Sequence, residues 1–132
     1  MKVELHKEAL AEYVAHIEQA RHALTQSKRT LLILCSQASA EVVAILLHKL
    51  NVLDISTIVK HNRLDSKNWW DGLPQFQNKN IIANLASEIE SARNKAYGNL
   101  KEIDAPYLLK LLKLFFELKH KAEELANEKF ES

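Results

Sequence analysis

Glycine and proline each occur only twice in 132 residues, which leaves the chain almost no punctuation for turning one strand back onto another. Sandwiches and barrels need a turn signal every several residues. An all-α domain is what remains, and the apolar residues repeat with helical spacing.

Four long helical patterns follow. In the first, over 3 to 27, Val3, Leu10, Tyr13, Val14, Ile17, Ala20 and Leu24 fall three and four apart and draw one stripe. The second, over 29 to 50, is apolar almost all round, as a helix packed on several sides must be, and Asn51 is its stop. The third, over 79 to 97, carries Ile81, Ile82, Leu85, Ala86, Ile89, Ala92 and Ala96 inward, with Gly98 in the left-handed position after it. In the fourth, Asp104 is the N-cap, and Pro106 sits in the first turn, where a missing amide costs nothing. Leu108, Leu111, Leu112, Phe115, Leu118, Ala122 and Leu125 form its inner stripe. Leu109 and Phe116 lie off it, packed against a connection or a second subunit.

Residues 51 to 79 read differently, with Gly72, Pro74 and many Asn, Asp and Ser. They predict a long connection with short helical pieces at 54 to 61 and 66 to 71; connections of this length often carry function. Of its Trp69-Trp70 pair, one ring is expected to plug the core and the other to stay half exposed. Short links elsewhere favour an up-down four-helix bundle with a long, partly helical connection between its second and third helices, one domain over residues 1 to 132.

Eighteen Lys and Arg against seventeen Asp and Glu give a formal charge of +1, so no global field selects nucleic acid or membrane. The single Cys35 can form neither an internal disulfide nor a CxxC clip. The start of the chain has no apolar signal core, and no segment is expected to reach the roughly 18 apolar residues of a membrane span. A cytoplasmic protein with no membrane contact is the expectation.

The motifs of phosphate loops, dinucleotide folds, zinc proteases and hydrolase elbows are absent. Glu88 and Glu90 are too close in sequence to share a helical face as metal ligands, and a solvated face is their expected setting. Glu-x-x-His occurs once, at Glu117 and His120, where a di-iron bundle needs it twice. The six histidines include no pair three or four apart. No metal and no cofactor are expected.

The run "ESARNKAYGN" closing the third helix, the capped helix "DAPYLLKLLKLFFELKHKAEEL" after it, and "CSQASAEVVAILLHKL" two elements earlier resemble the HEPN family. It is named for nucleotide-binding members in higher eukaryotes and prokaryotes. The resemblance implies a small up-down helical bundle whose signature is an Arg, often followed by Asn, then a His four to six residues on. Members with the full motif are metal-independent ribonucleases, often toxins paired with a nucleotidyltransferase antitoxin, and they commonly dimerise. Arg93 matches the family Arg and Asn94 the residue after it, but where the His belongs this chain has Gly98, Asn99 and Leu100.

Cleaving RNA without metal takes a base, an acid and a cation over the phosphate; histidine serves the first two because it titrates near neutrality. Arg93 can clamp a phosphate, while the nearby Tyr97 donates a hydrogen bond but is a poor base. By helical rise, His22, Cys35, Ser36 and Tyr107 lie at the level of Arg93, and His22 is the one helical histidine there; His6, His48 and His120 fall far from it. The resulting site is Arg93, Asn94 and Tyr97, with His22, Ser36 and Tyr107 as secondary candidates, for RNA or a nucleotide. Three alternatives stand beside it: a weak ribonuclease with a displaced base, a protein-interaction module for a nucleotidyltransferase, and an Arg93 that simply pairs with Glu90. Lys110, Lys113 and Lys121 read as solubilising charges.

Overall fold

The computed structural model describes residues 3–21, 28–54, 58–99, 101 and 103–131, with all side chains among them except those of Ala20, Arg21, Ala96 and Tyr97. The fold is all-helical, with no strand among the described residues. Its elements are α1 (Val3–Arg21), α2 (Lys28–Lys49), a 3-10 turn (His61–Arg63), α3 (Lys67–Asp71), α4 (Lys79–Tyr97) and α5 (Ala105–Ala126).

α2 is the central element, packing on α1, α4 and α5, while α4 also packs on α5. Its sequence explains that position: from Leu31 to Leu47 it buries apolar residues on every side, including Leu32, Val42, Val43, Ile45 and Leu46. Each fully buried Leu, Ile or Val contributes about 1.5–3 kcal/mol by leaving water. α2 is in fact long and apolar enough to cross a membrane by composition, contrary to expectation, but 72% of that window is buried in the protein. A core helix packed on three sides needs this composition.

The other helices offer one face each. α1 buries Leu10 and Ile17, and α5 buries the predicted stripe from Leu108 to Ala122. Asp104 caps α5, its Oδ1 accepting from Tyr107 N at 3.0 Å. Leu109 is 46% exposed, whereas Phe116 is partly buried edge-on against Phe115, with ring centroids 5.1 Å apart. α4 buries Ile82, Leu85, Ala86 and Ile89; Ile81 is 43% exposed, because one residue turns a helix by about 100° and carries it off the stripe.

Two further expectations are corrected. Of the piece expected at 54 to 61, Asp54 and residues 58 to 60 are without regular structure, and only His61, which opens the 3-10 turn, is helical among the described residues. Gly98 is not left-handed. Asparagine fills that conformation instead, at Asn51, Asn78 and Asn127, with φ of 58°, 61° and 54°. Its short polar side chain tolerates the left-handed region better than most. The piece predicted at 66 to 71 is α3, capped by Ser66 Oγ, which accepts from Trp69 N at 3.3 Å. Trp70 is buried, Trp69 is half-buried, and Trp70 Nε1 donates to Leu64 O at 2.8 Å. Leu64 is itself buried without exposure, so this pair anchors the connection to the core and fixes its flanking residues, His61 and Asp65.

Candidate functional site

The centre of the site is Glu90, which has 0% exposure. It stands four residues after Ala86 and eight after Ile82, so the stripe that folds α4 onto α2 also carries a carboxylate inward. Burying a carboxylate is costly unless its oxygens are paired. Both are: Ser36 Oγ of α2 donates to Oε2 at 2.7 Å, and His61 Nδ1 lies 2.7 Å from Oε1. The solvated setting expected for the Glu88 and Glu90 pair therefore holds for the exposed Glu88 alone.

An ionised carboxylate can only accept, so the hydrogen of His61 is assigned to Nδ1, which leaves Nε2 as the nitrogen not committed to Glu90. The imidazole is 27% exposed. Arg93, one turn beyond Glu90, places NH1 3.7 Å from Oε1, an ion pair rather than a hydrogen bond. The same nitrogen donates to Asn94 Oδ1 at 3.2 Å, and Asn94 Nδ2 donates to Asp65 Oδ2 at 3.2 Å. That chain fixes the amide's orientation, since a flip would turn its NH2 toward the guanidinium and its oxygen toward the carboxylate. The Arg93 side chain is 20% exposed.

Of the residues expected at the site, Arg93, Asn94 and Ser36 are brought together around Glu90. Tyr107 is at the same level but otherwise employed: its hydroxyl donates to Ala92 O at 3.0 Å and ties the start of α5 to α4. Burial raises its pKa above the usual phenol value, which keeps it a donor. Tyr97 belongs to α4, but its side chain lies outside the described residues, as does the whole of His22. His61 and Asp65 were not singled out by sequence reasoning, and Glu90 only as a solvated carboxylate or a simple partner of Arg93. A carboxylate in step with Ile82 and Ala86 was the available signal for Glu90; His61 lay in a connection whose course the helical rise could not give.

The remaining described histidines lie elsewhere. His6 Nδ1 meets Glu41 at 2.6 Å and its ring stacks on His48 at 5.3 Å, joining α1 to the far end of α2. His120 pairs with Glu124 on the exposed face of α5. Among the described residues no three His, Cys, Asp or Glu converge as a metal site. The arrangement around Glu90 is thus a carboxylate-oriented imidazole beside a guanidinium, a pairing that can hold an anion and move a proton. No protein-family model, no curated protein and no solved structure matches this chain.

Proposed function

We propose that the chain is a HEPN-like protein, an up-down four-helix bundle in which Arg93 binds the phosphate of RNA or of a nucleotide. Asn94 flanks that phosphate, and Tyr97, whose side chain lies outside the described residues, is the third residue of the reading. The observation that carries this reading is the posture of Arg93: a side chain one-fifth exposed whose NH1 both pairs with Glu90 Oε1 and donates to Asn94 Oδ1. An oriented guanidinium loses less freedom on engaging a phosphate than a loose one does. The reading includes a cytoplasmic homodimer, acting in a toxin-antitoxin-like setting with a nucleotidyltransferase as its protein partner.

The test is binding of a fluorescent single-stranded RNA of about ten nucleotides, followed by anisotropy across a salt series. Arg93→Ala is expected to weaken binding and to reduce the salt slope by about one phosphate contact. Unchanged affinity and slope in that variant would remove the reading and leave a protein-interaction module. Light scattering tests the dimer separately, with a 15.1 kDa species counting against it.

His61 gives a specific ground for a second reading, metal-independent RNA cleavage. It supplies near Arg93 the titratable group that the motif lacks at 98 to 100, with Glu90 orienting it from Nδ1. In this reading Nε2 takes the proton of the 2′-hydroxyl as its oxygen bonds to phosphorus, the P–O5′ bond breaks with the leaving oxygen protonated by water, and Arg93 neutralises the phosphate. Cleavage in EDTA that disappears in both His61→Ala and Arg93→Ala supports it; RNA left intact at high protein concentration rules it out.

A further inference from the structure

Beside Arg93 lies a second polar feature. A cleft of about 490 Å³ runs between α4 and the connection from Asp65 to Gln75, within the roughly 300–1,000 Å³ of pockets that hold small ligands. Its walls are fixed from within. The 7%-exposed Lys79 donates through Nζ to Leu73 O at 2.8 Å, joining the connection to the first turn of α4. On the other side Trp70, also part of the lining, is held to Leu64 O.

The chemistry of the lining is neutral and amide-rich. Asp65 and Asp71 are matched by Lys67 and Lys79, which leaves no excess of positive charge for a phosphate. The lining also carries the carboxamides of Gln75, Asn80 and Asn84, each with donors and an acceptor on one plane, Gln75 Nε2 donating to Phe76 O at 3.4 Å. Planar groups of that kind match the edges of a nucleobase, and unstacked single-stranded bases are read through such edges. A chain of hydrogen bonds links the cleft to the candidate site: Asp65, which lines it, accepts from Asn94, and Asn94 accepts from Arg93.

We propose that this cleft is a nucleobase subsite, receiving an unstacked base of the strand whose phosphate lies on Arg93. The inference rests on the reading of Arg93 as the phosphate ligand. It extends that reading from a charge contact to single-stranded nucleic acid with its bases exposed, and it separates two jobs: Arg93 binds every strand, and the carboxamides respond only to strands that carry bases.

The probes are a ten-nucleotide RNA, an abasic strand of the same length, and free adenosine and uridine. Asn80 and Asn84 are exposed, so Ala at both positions leaves the core intact. The wild type is expected to bind the RNA about tenfold more tightly than the abasic strand, the margin of one good base contact. The double variant Asn80→Ala/Asn84→Ala loses that margin and keeps the salt slope, whereas Arg93→Ala loses slope on both strands. Equal binding of RNA and abasic strand, or a margin that survives the double variant, overturns the inference.

If no strand binds, the reading of Arg93 fails and the cleft is decided by the nucleosides. Chemical-shift changes of the Asn80 and Asn84 side-chain amides with adenosine or uridine, persisting in Arg93→Ala, support a base subsite. Their absence overturns it.

Discussion

His61 Nδ1 lies 2.7 Å from Glu90 Oε1, so the connection between α2 and α4 is fastened by an imidazole to a carboxylate with no access to solvent. Ser36 holds the other oxygen, and three parts of the chain meet at one side chain. Removing that carboxylate strands the hydroxyl and the imidazole together. Glu90→Ala is therefore expected to cost about 2 kcal/mol of stability, in the range for leaving hydrogen-bonding groups without a partner. Urea denaturation at neutral pH measures it; a loss below about 1 kcal/mol would fit a surface pair and contradict the burial.

The hydroxyl of Tyr107 makes the reciprocal tie between α5 and α4. Tyr107→Phe is expected to cost about 1 kcal/mol, the net worth of one hydrogen bond. Burial raises the phenol's pKa in the fold, so the stability it contributes is full below the unfolded value near 10 and is lost as pH climbs through the folded value. The penalty of the Phe variant should accordingly shrink above pH 10. A penalty constant from pH 8 to 11 would show that the phenol ionises alike in both states.

Cys35 offers a check on the centre of the core. It has 0% exposure on α2, and desolvation pushes its thiol up to about 12, so almost no thiolate forms at pH 8. Iodoacetamide at pH 8 is expected to leave the folded protein unlabelled for hours and to label it fully in denaturant. Rapid labelling without denaturant would mean that α2 is not packed on three sides as described.

How much of this was legible depended on whether a residue's partners were near in sequence. The inward face of α5 followed from periodicity, since the residues that make its stripe stand three and four apart, and the central place of α2 followed from its being apolar almost all round. Asp104 was readable as a cap because a cap acts within its own first turn. Asn51 was read correctly as a stop, while Gly98 was given a left-handed conformation that asparagines adopt instead. Residue type sets only a preference there, and the chain's path decides.

The site was legible in part for the same reason. Arg93 and Asn94 came from a local motif, and helical rise placed Ser36 and Tyr107 at their level. Glu90 was noticed as a possible partner of Arg93, but its burial depends on how far α4 rotates against α2. His61 and Asp65 arrive through a connection without regular structure over 58 to 60, and no period relates its residues to α4. What positions them is Trp70 bonded to Leu64, a tertiary anchor with no signature in spacing.

Asn94 allows the binding reading to be tested without touching Arg93. Its amide accepts from the guanidinium and donates to Asp65, both at 3.2 Å. Asn94→Asp replaces the donor with a second carboxylate, which repels Asp65 and pairs with Arg93 more strongly. The guanidinium is then occupied by a competing anion. RNA binding should fall by about tenfold, corresponding to roughly 1.4 kcal/mol, while Asn94→Ala, which adds no charge, should lose less. Asn94 is exposed, so both variants should stay within about 0.5 kcal/mol of wild-type stability. Anisotropy at one fixed low salt concentration compares the three proteins. If Asn94→Asp binds as well as Asn94→Ala, the phosphate does not engage the face of Arg93 that Asn94 controls.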